Sequence, residues 1–440
     1  MNNKKWMAIL LGGIMAASLA APCSVSAAEK TTLTFWHAMG GTNGEVLQQI
    51  VDDFNASQDE IEIKAEYQGT YDDTITKLKA AMQSESGLPD VCQMYDVGTK
   101  FMYDSGAVIP VEDKFESTGY DKSSVMDVIS SYYTVEGKQY AMPFNVSTPM
   151  LYYNKDVFEA AGLDPETPPT TYDEVLEDAK KIVESGAAPV GYSQAIYGWF
   201  FEQQLAGLGV TYGNNDNGRT EAVTAVDFDS NGGGLKVFDM WKKLYDSGYF
   251  EDYGTTTADT QTAFFSGQVG MIIESTAILK NAVDSSPFEV GTGYLPRIEQ
   301  NDEGGVIIGG GSLWLTDTGN EANEDAAWKF IEYITTPDVQ AKWSMGTGYF
   351  AINEKAYETE DMKAYLKENP NFETAINQLK DSPVNCNTAG VLSGVQTEAR
   401  LTFNEIMPQV YDGKLTTQDA VDQLAASVNK AIENYNESIK

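Results

Sequence analysis

Few residues in this chain could carry covalent or acid–base chemistry. His37 is the sole histidine among 440 residues, so any histidine-dependent triad must use it. No Gly-x-Ser-x-Gly elbow accompanies it, because Gly310-Gly-Ser312 runs on into Leu-Trp. A histidine at the end of an apolar run more often has a structural or ligand-contacting role than a catalytic one. Gly137-Lys138 and Gly413-Lys414 lack the Ser or Thr that completes a phosphate-binding P-loop, and Gly-x-Gly-x-x-Gly does not occur. Asp227-Phe-Asp229-Ser-Asn231-Gly232 begins like a calcium loop, yet Phe238 stands where a bidentate glutamate is required. A strand–turn–helix junction accounts for the same residues. Acidic pairs are too frequent here for any one of them to mark a glycosidase. The expectation is a protein without a catalytic group, metal or cofactor.

The aromatic residues carry more information. Tyr71, Trp199 and Tyr349 lie beside or near glycines in expected loops. Core packing is the ordinary fate of an aromatic side chain. As a set converging on strand ends, they suit stacking on the apolar faces of a sugar or polyol, with nearby polar groups bonding its hydroxyls.

These residues need elements to hold them. Thr31-Thr-Leu-Thr-Phe-Trp-His37 reads as a strand from its β-branched and aromatic content. Val46, Leu47, Ile50, Val51 and Phe54 then recur at helical spacing, and Ile61-Glu-Ile-Lys-Ala-Glu-Tyr67 alternates as a second strand. Ile75, Leu78 and Met82 mark another helix, and Pro89–Tyr95 a third strand. This β-α-β-α-β order predicts a parallel sheet with right-handed crossovers. Ligands of such sheets bind beyond the carboxyl ends of the strands. Those ends carry Trp36-His37, Gly69-Thr-Tyr71 and Tyr95-Asp96.

Ala141–Asn154 is apolar and aromatic like a strand, but Pro143 and Pro149 cannot donate to a central ladder. It is expected to cross between two α/β lobes, with a second crossing at Val290–Leu295. Thr171-Tyr-Asp-Glu174 is a capping box that opens a helix ending before Gly186. Pro189–Ser193 and Gln268–Glu274 read as strands, and Gly305–Leu315 as a glycine-rich strand returning to the first lobe. Helices follow to the end of the chain. The expected organisation is a first lobe of residues 28–145 and 293–318 and a second of residues 149–290 and 322–440.

Composition narrows the partners. With 65 acidic against 29 basic residues the formal charge is −36, so nucleic acid and anionic membrane surfaces would be repelled. Lys4-Lys5, the apolar run from Trp6 to about Ala21 and Val25-Ser-Ala27 form an export signal, with residues 1–27 removed. Leu19-Ala-Ala-Pro-Cys23 vaguely resembles a lipid-attachment signal, from which Pro22 departs. The remaining cysteines, Cys92 and Cys386, are expected to be free, buried thiols.

Phe35-Trp-His37, Gln93–Thr99, Pro143–Lys155, Ala161-Gly-Leu-Asp-Pro165, Ile307–Trp314 and Thr347-Gly-Tyr349 together resemble the extracellular solute-binding proteins of ABC importers. The likeness is to the sugar-binding group, and most of all to its glycerol-3-phosphate-binding branch. It implies a bilobal periplasmic-binding-protein fold, two α/β lobes around a ligand cleft. It also implies a monomer in the periplasm or on the outer face of the membrane that delivers a small solute, a sugar or glycerol derivative, to a permease. Carried over residue by residue, the ligand contacts fall on Tyr71, Asp96, Ser147, Trp199, Ser275, Thr276, Gly310 and Tyr349. Trp36 and His37 join them from strand-end position.

Two departures bear on the ligand. A tryptophan of the phosphate-binding relatives aligns with Ile196, and the arginine that grips phosphate aligns with Leu392. Of the three arginines, Arg219, Arg297 and Arg400, none aligns with that role. Buried phosphate without a cation carries a large desolvation penalty, so the expected solute is a neutral sugar or short oligosaccharide. A binding protein for glycerol 3-phosphate or a glycerophosphodiester is the alternative, the choline of such a diester being assisted by Asp96 and the aromatics. A secreted carbohydrate-active enzyme is the alternative from another class.

Overall fold

The computed structural model describes residues 30–84 and 87–439. The export signal and Cys23 lie outside them. β1 (Thr31–His37), β2 (Ile61–Tyr67) and β3 (Val91–Tyr95) run parallel, with β1 between the other two. The intervening helix Gly41–Ser57 buries Leu47, Ile50, Val51 and Phe54, one apolar stripe at three- and four-residue spacing. The second intervening helix, Tyr71–Met82, starts on a capping box between Thr70 and Asp73. β4 (Val108–Ile109) and the small hairpin of β5 (Thr134–Val135) and β6 (Lys138–Gln139) follow.

The expected crossover is realised as two strands separated by Thr148. β7 (Met142–Ser147) belongs to the first sheet, and β8 (Pro149–Asn154) to the second. Both prolines sit where a missing N–H is tolerated. Pro149 is the first residue of its strand, and Pro143 lies where the ladder slips between Gly311 and Ser312. β9 (Val190–Ser193), β10 (Val269–Ser275) and β11 (Val290–Gly293) complete the second sheet, in the order β11-β8-β10-β9. β12 (Gly309–Thr316) returns to the first sheet, antiparallel to β3, β4 and β7, giving β2-β1-β3-β12-β4 with β7 also on β12.

Side chains of the second sheet alternate between two cores. Leu151, Tyr153, Met271 and Ile273 join the core made with the helices Tyr172–Ser185, Gly198–Gly207, Gly233–Asp246, Gln396–Tyr411 and Thr417–Ser438. Met150, Tyr152 and Ile272 join the core that also covers the first sheet.

Two expectations need correction. Val290–Gly293 is a strand of the second sheet, antiparallel to β8, so residues 294–308 make the second crossing instead. Residues 322–440 are not all on the second side. The helix Glu321–Ile334 packs on β1 and β12, with Phe330 edge-on to Phe35 at 5.5 Å, and Pro337–Thr347 packs on Gly41–Ser57. Helical periodicity shows that a face is apolar, not which sheet it will cover; β12 delivers the chain beside an uncovered face of the first sheet.

Asp227–Gly232 is the turn into the helix Gly233–Asp246, with Asp227 accepting from Thr211 Oγ1 at 3.0 Å. Cys92 is buried and Cys386 half-buried, and both are free. Among the described residues, no helix is long and apolar enough to cross a membrane.

Candidate ligand-binding cleft

The carboxyl ends of β3 and β7 and the first residues of β12 face the second sheet across a cleft of about 270 Å³. One wall carries Tyr71, Tyr95, Asp96, Ser147, Gly309, Gly310 and Tyr349, and the other Tyr197, Trp199, Glu274, Ser275 and Arg400. A larger groove, about 780 Å³, runs between the helices Val111–Thr118 and Glu321–Ile334. It lies away from these strand ends.

Tyr71 is held by a relay that begins in the backbone. Ala38 N–H donates to Gln93 Oε1 (2.8 Å), Gln93 Nε2 to Asn145 Oδ1 (2.7 Å), and Asn145 Nδ2 to the Tyr71 hydroxyl oxygen (2.7 Å). Its ring stacks on Tyr95 at 5.0 Å and 7°, so one face is spent within the protein, and the residue lines the cleft. Tyr349 is likewise backed by Trp343, at 5.7 Å and 10°. Pre-stacked rings offer apolar area at little further entropic cost. Burial raises both phenols above their usual range, so at neutral pH they are neutral hydroxyls.

Trp199 is the second residue of Gly198–Gly207 and reaches across the cleft to Gly309. Ser147 pairs with Gly309 in the β7–β12 ladder. Gly310 has φ +92°, and a Cβ there would lie 1.8 Å from the Asn145 carbonyl oxygen. Only glycine fits. Ser275 ends β10, its Oγ accepting from Ala277 N–H. Burial pushes neighbouring Glu274 above the usual carboxylate range, opposed by hydrogen bonds from Gln261 Nε2 (2.9 Å) and Ser275 N–H (2.7 Å).

Three of the expected site residues stand elsewhere. Thr276 is part of the crossover lock: its N–H donates to Thr148 O (2.8 Å), and Thr148 N–H donates to Thr276 Oγ1 (3.1 Å). Trp36 donates its Nε1–H to Glu66 on the adjacent strand (3.0 Å). His37 is buried between Phe35 and Tyr67, accepts from Met39 N–H at Nδ1, and is lowered by burial to a pKa of about 4. Strand-end position brought Trp36 and His37 to the rim of the sheet but not to this cleft.

Arg400 was missed. It lines the cleft, although alignment gave the arginine role to position 392. Its Nε and Nη2 donate to Glu202 Oε1 (2.8 Å) and Oε2 (2.7 Å), and Nη2 also donates to Asp96 Oδ2 (2.8 Å). Burial opposes its charge, but Asp96 and Glu202 outweigh that and raise the guanidinium well above its usual value. Burial pushes Glu202 upward against the pull of Arg400. Gly198 makes the pairing possible: a Cβ there would lie 2.5 Å from the Arg400 Cα, so the two helices meet only because that side chain is absent. The scarcity of arginine in the sequence was the one available signal.

Residues 49–374 match the family described as bacterial extracellular solute-binding protein. The chain is 31% identical over 417 residues to the sn-glycerol-3-phosphate-binding periplasmic protein UgpB of Escherichia coli (strain K12), covering 93% of this chain and 94% of the relative. Its fold is similar to that of the cyclic α-maltosyl-1,6-maltose binding protein of Arthrobacter globiformis, with 26% identity, 92% and 100% coverage and a TM-score of 0.77. A further similar structure is UgpB of Mycobacterium tuberculosis in complex with glycerophosphocholine, with 20% identity, 92% and 99% coverage and a TM-score of 0.78. Two α/β sheets joined by a crossover, a cleft at their strand ends and a family match across most of the chain lead to one conclusion: this chain belongs to the bacterial extracellular solute-binding proteins, the solute-capturing components of ABC importers.

Proposed function

We propose that the cleft captures a neutral sugar, or the end of a short oligosaccharide, and that the closed, loaded protein presents it to the permease. The observation that supports this most is the charge of the lining. Asp96 and Glu274 are carboxylates in the lining, Glu202 stands behind Arg400, and Arg400 is already shared between Glu202 and Asp96. A phosphate dianion would enter a site whose cation is occupied. An uncharged polyol would instead find aromatic faces at Tyr71, Trp199 and Tyr349 and hydrogen-bonding groups at Asp96, Ser147 and Ser275. The volume, about 270 Å³, is near the lower bound of roughly 300 Å³ for small-molecule sites. It suits one or two rings, with any longer chain extending outward. Ligands that bind the closed arrangement better than the open one shift the population toward closure.

Glu274 favours a second reading. It is 4% exposed with no arginine or lysine partner among its hydrogen bonds, and Tyr197 and Trp199 lie in the same wall. Such a carboxylate beside aromatic faces suits a quaternary ammonium, as in a glycerophosphodiester carrying choline.

The test is thermal unfolding of the exported form against mono- and oligosaccharides, glycerol 3-phosphate and glycerophosphocholine. Ligands that bind only the folded state raise the melting temperature by mass action. A shift with one sugar series supports the main reading, and a shift with the diester alone replaces it with the second. Mass spectrometry of the same material reports whether Cys23 carries lipid or whether cleavage near Ala27 has removed it, the outcome favoured here. The mature protein is expected to run as a monomer.

A further inference from the structure

Arg400 and Glu202 are built into one body. They stand on the helices Gln396–Tyr411 and Gly198–Gly207, which pack together at the side-chain-free Gly198. Glu202 takes the Nε and Nη2 donors of the guanidinium as a two-point fork, and Gln396 Nε2 holds Glu202 Oε1 at 3.0 Å. Asp96 comes from the opposite wall, at the end of β3, and takes a further bond from Nη2. Arg400 lines the cleft and Glu202 does not, so Glu202 approaches the arginine from behind. The trio carries one positive and two negative formal charges in a setting where all three residues are buried.

An arginine fork binds phosphate through parallel N–H donors on one edge. Here one such edge is already filled by a carboxylate of matching geometry. We propose that Glu202 is a specificity-determining residue, whose carboxylate occupies the Arg400 fork so that the cleft rejects phosphate monoesters and accepts uncharged polyols. The inference rests on the neutral-solute reading of the same cleft and adds the residue that enforces it. Glu202 acts through Arg400 and is a positioning residue, not a ligand contact.

The experiment is isothermal titration of glycerol 3-phosphate, with inorganic phosphate as competitor, into the full mature chain and into Glu202→Gln. Glutamine keeps the shape of the side chain and removes one negative charge. The expected result is at least a tenfold gain in affinity for glycerol 3-phosphate, reversed by inorganic phosphate and by salt. Glu202→Asp, which keeps the charge, is expected to stay close to wild type. A purely structural role would weaken all ligands together and would not create a phosphate-selective gain. Should Glu202→Gln fail to fold, Glu202→Met, uncharged and of similar volume, frees the same edge of the guanidinium and is expected to gain phosphate affinity in its place. Wild type binding glycerol 3-phosphate as tightly as Glu202→Gln overturns the proposal, and so does the absence of a gain in both variants. The sugar panel on wild type judges the underlying reading separately. If wild type binds a sugar and neither variant gains phosphate affinity, only the role of Glu202 is lost.

Discussion

Gly309 and Gly310 are adjacent, yet adding one methyl group to each should have opposite consequences. At Gly310 the added Cβ meets a carbonyl oxygen of its own sheet at 1.8 Å, and φ is +92°. Gly310→Ala therefore damages the β7–β12 ladder whether or not the cleft is closed. Gly309 has no left-handed φ, and the nearest atoms to its added Cβ belong to the indole of Trp199, with Cζ2 at 2.8 Å and Cε2 at 3.1 Å. Those atoms belong to the opposite wall, so the clash exists only when the walls meet. Trp199 has little room to yield, being 5% exposed and flanked by Tyr197 and Phe200 at 6.1 and 5.6 Å. Overpacking of this kind costs about 1–3 kcal/mol, which is roughly 5- to 150-fold in the closure equilibrium, at about 1.4 kcal/mol per decade. That loss should pass into the dissociation constant, because binding is linked to closure. The assay is calorimetric titration of the ligand found by thermal shift, alongside melting of the ligand-free protein. Gly309→Ala should lose affinity within that range while its ligand-free melting temperature changes by no more than about 2 °C. Gly310→Ala should lose several degrees without ligand. Equal affinity for Gly309→Ala and wild type, with both folded, would refute the claim that Trp199 closes onto β12.

Other expectations follow from the same geometry. Trp199→Ala should weaken ligand binding by about 2 kcal/mol, roughly thirtyfold, as for a central aromatic anchor, measured by the same titration; an unchanged constant removes Trp199 from the site. Because Trp199 is also packed against Tyr197 and Phe200, some loss of melting temperature should accompany it. Gly198→Ala should destabilise the ligand-free fold by more than about 1 kcal/mol, since the Cβ would strike the Arg400 backbone at 2.5 Å; urea unfolding reads it, and a wild-type midpoint would mean the helices can separate freely. His37 has a folded pKa of about 4 against an ordinary 6.5. Its neutral form therefore contributes stability that is complete above pH 6.5 and is lost as pH falls toward 4, up to about 3 kcal/mol. As the sole histidine, its ring protons should titrate near pH 4 by NMR, and a midpoint near 6.5 would contradict its burial.

How much of this was legible in the sequence depended on whether the deciding physics was local. The parallel order of β1, β2 and β3 was legible because each element carries its own periodicity. The crossover was legible because Pro143 and Pro149 forbid a single continuous ladder, and both occupy tolerated positions in the structure. The allegiance of Glu321–Ile334 was not legible, because an apolar helix face does not name its partner sheet. Trp36 and His37 illustrate a second limit. A strand end is a place near a cleft, but burial between Phe35 and Tyr67 or a bond to Glu66 can claim the side chain first.

Arg400 marks the hardest case, because both its position and its meaning are set by distant residues. Its partners Glu202 and Asp96 lie 198 and 304 positions away in the chain. Position 392 is a leucine, but the ligand class depends on whether any arginine in the cleft has donors to spare. A cleft without a cation would disfavour phosphate through desolvation alone. Arg400 supplies a cation, yet its two carboxylates disfavour phosphate by a different route, because a paired guanidinium can offer an incoming anion only what Glu202 and Asp96 leave free. The selectivity argued for this cleft is thus a property of the three side chains together, and a sequence comparison that scores them one at a time has no term for it.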